Sequence, residues 1–480
     1  MNDSQIAMNP NKIVQYLEKP AREFTKQDLI KFIEGNNIGS VNFRYMGGDG
    51  RLKTLNFVIN NKTQLDRLLS AGERVDGSSL FSYIDAASSD LYVIPRYRTA
   101  YVNPFATIPT VDVLCSYYTK ESVPLPSAPE DIVKKANEAL YNSHGLNLEA
   151  MGEIEYYVLH DRQYSYPSMA QKGYHESAPF CKWEMLRYEA MQAIAQAGGN
   201  IKYGHSEVGH IFREGQEIEQ NEIEFVPVAI EDAADQIVIA KWVLRMIGYK
   251  YGVTISFAPK IVVGHAGSGL HIHTKLVKDG KNAMIEGNAL CDLARRNIAG
   301  YLSLAPSLTA FGNTVPVSYL RLVPHQEAPT NICWGDRNRS VLVRVPLGWL
   351  DVKNMIGDAN PVEREEALEF TDSQTIEFRC PDGSANIHLL LAGLAVAARH
   401  GIEMEDALEL AKKLYVDVNI FHAEHKSIRD KLPQLPTSCW ESAECLLKDR
   451  KIYERDGVFP AVVIDGLIEM LKGYNDRDLS

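Results

Sequence analysis

The first part of the chain changes from helical to strand-like spacing of its apolar residues. Over residues 26–35 they recur at helical spacing, and Thr25 with Asp28 has the pattern of an N-terminal helix cap. Two alternating runs follow, SVNFRYM and RLKTLNFVI, which are joined by a glycine-rich turn. This pattern predicts a helix followed by a β-hairpin.

A polar, proline-containing stretch at residues 119–131 separates two regions of different pattern. Within it, Ser127 and Glu130 have capping-box spacing, which predicts a helix starting there. We therefore expect a domain boundary near residue 122, with an N-terminal domain over 1–122 and a larger domain over 123–480.

The larger domain alternates helical patterns with short strand-like runs. Helices are predicted at about 181–197, 231–250, 288–302 and 386–400, and the tail beyond 402 also reads as helical. The expected fold class is α+β, with an antiparallel sheet backed by helices.

Several of the strand-like runs pair an apolar face with a charged face, because residues two apart on a strand share a side. The charged pairs are Glu153 with Glu155, Glu222 with Glu224, His271 with His273, and Glu377 with Arg379. One interpretation is an ordinary antiparallel sheet with one wet side. The other is a divalent-cation site, which would relieve repulsion between carboxylates on adjacent strands. An oxygen-rich set with imidazole favours Mg²⁺ or Mn²⁺ over Zn²⁺.

A second concentration of chemistry lies between residues 318 and 346. Four arginines fall within it: Arg321, Arg337, Arg339 and Arg344. They could form a solvated loop, but their planar forks also match phosphate and carboxylate groups. Carboxylates beside arginines suggest phosphoryl transfer from a nucleotide. The chain has neither GxxxxGK[ST] nor GxGxxG, so we expect neither a P-loop nor a Rossmann site.

Composition narrows the class of protein. The 480 residues are 45% hydrophobic and 23% charged, with a net charge of −12, which argues against a nucleic-acid binder. Seven scattered cysteines favour reduced thiols and a cytoplasmic setting. We find no apolar run long enough for a signal peptide or a membrane span, so no membrane partner is expected.

Seven separated motifs together resemble the glutamine synthetase family, type I branch, from about residue 38 to 400. They are VDGSS (75–79), GEIEY (152–156), SEVG with EQNEIEF (206–225), GSGLHIH (267–273), RLVPHQEAP (321–329), RNRSVLVRVP (337–346) and IEFRCPDGSAN (376–386). The resemblance implies an N-terminal β-grasp domain and a catalytic domain of the glutamine synthetase/guanido kinase-like type. It also implies ATP-dependent joining of ammonia to glutamate through a γ-glutamyl phosphate.

The resemblance further implies a set of site residues. Two to three Mg²⁺ or Mn²⁺ ions would be held by Glu155, Glu207 and Glu222, and by Glu153, His271 and Glu377. Phosphate contacts would come from His273, Arg339 and Arg344. Substrate contacts would come from Ser79, Asp90, Tyr174, Glu207, Gly267, Arg321 and Arg379. Asp76 would act as the base for ammonium, Glu327 would shield the intermediate from water, and Arg339 would stabilise transferred charge.

The family assembles as rings, so the resemblance implies a homo-oligomer, typically a dodecamer of two stacked hexamers. In that arrangement the Asp76 loop reaches the active site of a neighbouring subunit.

The chain departs from the family pattern near the substrates. Ala266 replaces an asparagine that helps to hold the amino acid, and Asp372 and Thr375 replace cationic residues near the phosphates. An insertion at about 347–371 carries Lys353 and Arg364, which could compensate, and the segment around Tyr415 is too different to predict adenylylation. Three hypotheses therefore stay open: a glutamine-forming ligase, a γ-glutamylamide synthetase that uses a larger amine, and a catalytically silent relative.

Overall fold

The computed structural model describes residues 3–323, 328–348, 355–363 and 371–477. The predicted helix over 26–35 is confirmed as Lys26–Gly35, with a reciprocal capping box between Thr25 and Asp28. The predicted hairpin is confirmed as Ser40–Met46 paired antiparallel with Leu52–Val58.

The N-terminal domain is one sheet with helices packed against it. Its strands are β1 (Ser40–Met46), β2 (Leu52–Val58), β3 (Glu73–Asp76), β4 (Asp90–Pro95), β5 (Tyr101–Val102) and β6 (Thr110–Tyr118). Its helices are α1 (Asp3–Ala7), α2 (Lys12–Leu17), α3 (Lys26–Gly35) and α4 (Lys62–Ala71). The strand order is β2-β1-β6-β4-β3, with β5 beside β6 and with β1 and β6 parallel.

The larger domain contains a ten-stranded sheet among the described residues. The strands of this domain are β7 (Asn147–Asp161), β8 (Ile201–Arg213), β9 (Gln216–Phe225), β10 (Val228–Ala229), β11 (Thr254–Ser256), β12 (Leu270–Lys278), β13 (Lys281–Asn282), β14 (Ile285–Glu286), β15 (Ala289–Leu290), β16 (Trp334–Asp336), β17 (Val343–Val345) and β18 (Ile376–Phe378). The main order is β16-β17-β18-β12-β7-β9-β8, and all of its pairings except β16 with β17 are antiparallel.

Several helices of the larger domain back this sheet, and the described helices of this domain vary from largely buried to exposed. They are α5 (Pro129–His144), α6 (Glu184–Gln196), α7 (Ile230–Tyr251), α8 (Asp292–Gly312), α9 (Pro316–Arg321), α10 (Met355–Ala359), α11 (Ile387–Glu403), α12 (Ala407–Lys413), α13 (Lys426–Arg429), α14 (Cys439–Glu454) and α15 (Ala461–Gly473). The four helices predicted in this domain are therefore present. The third is displaced, because α8 begins at Asp292 and continues to Gly312.

Two details of the sequence-based prediction are wrong. The N-cap residue of α5 is Ala128 and not Ser127, and it makes no side-chain cap bond. Glu130 is buried and accepts a hydrogen bond from the backbone N–H of Tyr117 in the N-terminal domain. Because this tertiary contact occupies its carboxylate, Glu130 does not cap its own helix. The tail is helical only in part, because residues 414–425 and 430–438, on either side of the short helix α13, contain no α-helix.

The two domains are joined by polar contacts as well as by apolar packing. Arg96 of the N-terminal domain forms a bidentate ion pair with Asp235 on α7, with distances of 2.7 and 3.0 Å. Arg44 stacks on the ring of Trp242, also on α7, at 4.5 Å. These contacts fix the N-terminal sheet against the helical side of the larger domain.

Among the described residues, we find no single helix with the length and apolar character of a membrane span. Helices α11 and α12, which are joined at a sharp bend, have that length and apolar character only when they are taken together.

Candidate active site

A cavity of about 580 Å³ lies on the side of the large sheet opposite its main helices. Strands β7, β8, β9, β12 and β18 supply its carboxylates and imidazoles, and the segment from Arg339 to Leu347 supplies arginines. Strand register explains this convergence. Glu155 is paired with Glu222, and Glu153 lies between Glu224 and His271 on its two neighbouring strands.

The carboxylates on this face are not the wet side of an ordinary sheet. Glu155, Glu222, Glu224 and Glu377 are 8%, 7%, 3% and 1% exposed. Burying that many carboxylates on adjacent strands is unfavourable unless cations compensate them. The interpretation as a simple solvated face is therefore wrong.

One end of the cavity gathers two histidines around two carboxylates. Glu153 lies 3.0 Å from His271 Nδ1 and 2.8 Å from His273 Nε2. Glu377 lies 3.4 Å from His271 Nδ1, and it also forms a compact group with Glu153 and His273 in which the ligand atoms lie within 4.8 Å of one another. The ligand set expected for the second metal is thus brought together, and His273 is as close to it as His271.

The other end gathers the carboxylates expected for the first metal. Ligand atoms of Glu207, Glu222 and His205 lie within 4.8 Å of one another, with His205 Nε2 at 3.2 Å from Glu222. Glu155 is fixed beside them, because one carboxylate oxygen accepts bonds from the Gly269 N–H at 2.8 Å and the Gln220 amide at 2.9 Å.

The electrostatics of the cavity fit bound divalent cations. Burial, followed by the charges of Glu153, Glu155 and Glu207, raises the pKa of Glu222 well above its usual value. Burial also opposes ionisation of Glu153, but His273 and His271 lower its pKa well below the usual value. Carboxylates gathered this closely beside imidazoles suit Mg²⁺ or Mn²⁺, which prefer oxygen ligands.

Arginines close the cavity on the side of β17 and β18. Arg344 and Arg379 both bond to Glu377, at 3.1 and 3.0 Å. Arg344 Nε is buried and has no hydrogen-bond partner among the described residues. Arg321 is 2% exposed, and it donates to the carbonyl of Cys380 at 2.8 Å. These guanidinium groups lie beside carboxylates that could hold cations. They are therefore suited to bind an anion, such as a phosphate, in the cavity.

Two glycines of the GSGLHIH motif allow this arrangement. A Cβ at Gly267 would lie 2.4 Å from the carbonyl of Pro259. A Cβ at Gly269 would lie 2.4 Å from Arg321 Nη2 and 2.8 Å from His271 Nε2. Any side chain here would displace the arginine and the histidine, so glycine is required for close approach of the backbone.

Comparison with known protein families agrees with this geometry. The glutamine synthetase β-grasp domain matches residues 37–120, and the glutamine synthetase catalytic domain matches residues 127–473. The chain belongs to the glutamine synthetase family. The expected α+β fold, with a β-grasp domain preceding the catalytic domain, is confirmed.

Individual relatives cover nearly the whole chain. The glutamine synthetase of Thermus thermophilus is 29% identical over 446 residues, which cover 90% of this chain and 92% of that protein. The solved Plasmodium falciparum glutamine synthetase superposes with a TM-score of 0.76 at 20% identity, over 94% of this chain and 96% of that one. A GmaS/ADP complex superposes with a TM-score of 0.75 at 18% identity, over the same shares. At these identities the structural matches show the fold alone.

The three substitutions near the substrates, at Ala266, Asp372 and Thr375, all line the cavity. Ala266 is 7% exposed, and its backbone is held by the Tyr157 hydroxyl and the Gln171 side chain. The Thr375 hydroxyl lies 2.9 Å from His273 Nδ1 and so orients that imidazole. Asp372 points to the ammonium group of Lys275, 3.5 Å away. Negative charge therefore stands where the family pattern has positive charge, and Lys275 partly offsets it.

The residues expected to bind ammonium are divided between two places. Tyr174 and Glu207 line the cavity, whereas Asp76, Ser79 and Asp90 lie on the β3–β4 edge of the N-terminal sheet. Within the described part of the chain, the lining begins at Met151, so these three do not contribute to the cavity of their own subunit.

Hydrogen bonds within the Asp76 loop hold the carboxylate of Asp76 in place. The Ser79 and Ser78 hydroxyls donate to the Asp76 carboxylate at 2.6 and 2.7 Å. These bonds lower the pKa of this exposed carboxyl far below its usual range. Asp90 is paired in register with Asp76 and lies 3.4 Å from Arg74.

The sequence-predicted residues Glu327, Lys353 and Arg364 lie outside the described residues. Of the remaining predicted residues, Gly267 and Arg339 both line the cavity, and Arg339 lies over the ring of Tyr174 at 5.9 Å.

Three cavity residues were missed from the sequence. His205 stands two residues before Glu207, and Gln220 stands two residues before Glu222, so strand alternation places each on the same face as a residue expected to bind metal. Lys275 stands two residues after His273, so alternation places it on the same face of β12.

Proposed function

We propose that this member of the family is an ATP-dependent ligase that joins ammonia to the γ-carboxylate of glutamate, with γ-glutamyl phosphate as the intermediate. One observation carries the proposal: a single cavity combines two carboxylate–imidazole clusters with a wall of arginines. The proposal includes a cytoplasmic homo-oligomer of stacked rings, with a domain boundary near residue 122.

The residues present fit the metals that the family uses. Two to three Mg²⁺ or Mn²⁺ ions would be held by Glu155, Glu207 and Glu222 and by Glu153, His271 and Glu377. When bound, they would neutralise the phosphates of ATP and make the γ-phosphoryl group a better electrophile.

In the first step, the chain's own residues bind and orient the reactants. Arg321 and Arg379 hold the carboxylates of glutamate, so that its γ-carboxylate faces the γ-phosphate. His273, Arg339 and Arg344 bind phosphate oxygens and stabilise the charge that develops on them. Glu327 shields the acyl phosphate from water.

In the second step, an ammonium ion binds near Tyr174 and Glu207. Asp76 and Ser79 complete this pocket from a neighbouring subunit, which agrees with their position outside the cavity of their own chain. Because its pKa is low, Asp76 remains ionised and attracts the cation. The Asp76 carboxylate then takes a proton from ammonium, and the resulting ammonia attacks the carbonyl carbon of the acyl phosphate, so that a C–N bond forms as the C–O bond to phosphate breaks and phosphate leaves.

A second candidate is a γ-glutamylamide synthetase that uses a larger amine. Ala266 favours this candidate, because a methyl group replaces a longer polar side chain at a buried position on the cavity wall. The nitrogen donor is the property that separates the two candidates.

The test is phosphate release by the purified protein with ATP, Mn²⁺ and glutamate. Ammonium and a panel of primary amines of increasing size are supplied in separate reactions. The primary proposal expects the highest kcat/KM with ammonium. A preference for a larger amine would replace it with the second candidate, and no release with any donor would identify a silent relative.

A further inference from the structure

Strands β7, β8 and β9 carry a second buried cluster on the face opposite the cavity. It consists of His160, His210, Glu217 and Glu219, which are 7%, 3%, 0% and 3% exposed. None of the four lines the cavity. We propose that this cluster is a structural site for a zinc-type divalent ion.

The four side chains converge because of their register. His160 is opposite Glu217, and His210 is opposite Glu219, across a shared central strand. Ligand atoms of His210, Glu217 and Glu219 lie within 4.8 Å of one another, and His210 Nε2 lies 2.8 Å from Glu217. His160 Nε2 is 3.7 Å from Glu219. One imidazole and two carboxylates thus form a compact group, and the His160 imidazole lies beside it.

His160 supplies an independent sign that a ligand belongs there. Its Nδ1 faces the carbonyl oxygen of Asp161 at 2.8 Å, so that nitrogen must be the protonated donor. In the neutral ring, Nε2 then carries a lone pair. This atom is buried and has no hydrogen-bond partner among the described residues. A backbone carbonyl that fixes the tautomer is the usual support of a metal-ligating histidine.

The alternative is a pair of buried histidine–glutamate ion pairs. It accounts for His210, which has a close partner in Glu217. It accounts poorly for His160, because a second proton on that ring would gain only a contact of 3.7 Å. A divalent ion instead uses the lone pair of His160 and balances the charge of the two carboxylates.

The donor set identifies the kind of ion. Zn²⁺ accepts both imidazole and carboxylate ligands in four-coordinate sites, and two of each are available here. Mg²⁺ and Mn²⁺ prefer sites dominated by oxygen and usually keep bound waters, for which this buried cluster offers little room.

The site would fasten the segment between β7 and α6 to the sheet. The backbone N–H of Gln163 donates to Glu217 at 3.0 Å, and the N–H of Lys182 donates to Glu219 at 2.9 Å. Tyr174 lies between these two attachments and lines the cavity. An ion held by the same carboxylates would therefore hold Tyr174 in position from the opposite face of the sheet.

The experiment uses the full-length protein, stripped of metal with a chelator and titrated with Zn²⁺ or Co²⁺ alone. Glu222→Gln is introduced in all samples to weaken binding in the cavity. We expect one tightly bound zinc per chain and the intense visible bands of tetrahedral Co²⁺. His160→Gln and His210→Gln should each lose these bands, whereas His144→Gln should keep them.

A second measurement does not depend on the folding of any variant. Anomalous diffraction at the zinc edge, from crystals of the unaltered protein soaked in Zn²⁺, should show a peak between His160 and Glu219. Zinc should also slow proteolysis of the segment at residues 162–183. Octahedral cobalt bands only, or zinc found solely in the cavity, would overturn the proposal.

Discussion

The two faces of strands β7, β8 and β9 each carry a histidine–carboxylate cluster, but the clusters differ in balance and access. The cavity face has an excess of carboxylates and opens into a space of about 580 Å³. The opposite face matches two histidines with two glutamates, and all four are nearly fully buried. One alternating pattern on the strands thus produces two different chemical environments.

This difference indicates how the two clusters are expected to use cations. An open cluster with surplus negative charge suits ions that enter with a nucleotide and are exchanged. A closed and balanced cluster suits an ion that remains bound and supports the fold. The arginines around Glu377 strengthen the contrast, because they add an anion site on the cavity side.

The largest expected effect on metal binding in the cavity comes from Glu222→Gln. This substitution replaces one carboxylate oxygen in the cavity with an amide nitrogen and retains the size of the side chain. We expect turnover to fall by more than the roughly 10- to 100-fold that loss of an outer-shell partner of a metal ligand costs. The measurement is phosphate release with ATP, glutamate and ammonium at saturating Mn²⁺.

Glu224→Gln is the matched control for this substitution. Glu224 is two residues away on the same strand and pairs with Lys202 at 2.7 Å, and we do not assign it as a ligand. It should retain most of the turnover. Equal losses in the two variants would mean that overall negative charge, and not metal ligation by Glu222, is what the cavity requires.

Asp76→Ala tests whether the open face is completed by a distant loop. We expect turnover with ammonium to fall by about 10²- to 10⁴-fold, the usual contribution of a positioned acid–base group, while ATP binding is unchanged. Unaltered turnover would identify VDGSS as a structural turn. Mixed oligomers of Asp76→Ala and Glu222→Gln subunits should regain activity if the loop acts on a neighbouring subunit.

The low pKa of Asp76 determines how turnover with ammonium should respond to a fall in pH. The hydroxyls of Ser79 and Ser78 lower the pKa of Asp76 from the usual value near 3.8, so the carboxylate stays charged as the pH falls through that value. Turnover with ammonium should therefore show no acid limb from Asp76 in the ordinary assay range. In Ser79→Ala the pKa should rise toward its usual value.

Thermal unfolding separates the two faces directly. In chelator-treated protein, an ion at a hundredfold excess over its dissociation constant stabilises the folded state by about 2.7 kcal/mol. Mn²⁺ should raise Tm through the cavity, and this shift should shrink in Glu222→Gln. Zn²⁺ should raise Tm through the opposite face, and that shift should shrink in His210→Gln. A single variant that removed both shifts would show that the clusters are coupled.

Alternation along the strands predicted the cavity well from sequence. Glu153, Glu155, Glu222 and Glu377 were placed on one side of their strands, and the structure brings them together. Sequence could not show that this side is buried, because burial depends on how loops and arginines close over the sheet. It also could not place Asp76 relative to the cavity, since that position depends on packing between domains.

Strand alternation alone does not predict the buried histidine–glutamate cluster on the opposite face of the sheet. His210, Glu217 and Glu219 are separated by a turn, and their meeting depends on the register shift within β8 between Ser206 and His210. Such an irregularity changes which side chains share a face and leaves no simple periodic signal. The cap of α5 was misplaced for a related reason, because Glu130 is held by Tyr117 and not by its own helix.

The smallest expected effect concerns the wall of the open cavity at Ala266. Ala266→Asn restores the polar side chain of the family pattern at a position whose backbone is already fixed by Tyr157 and Gln171. One new hydrogen bond to glutamate contributes about 0.5–1.5 kcal/mol, so KM for glutamate should fall by roughly two- to tenfold. Ala266→Ser, with its shorter side chain, is the control. If the substitution leaves KM and the ratio of ammonium to methylamine turnover unchanged, this departure does not select the substrate, and the nitrogen donor must be chosen elsewhere on the cavity wall.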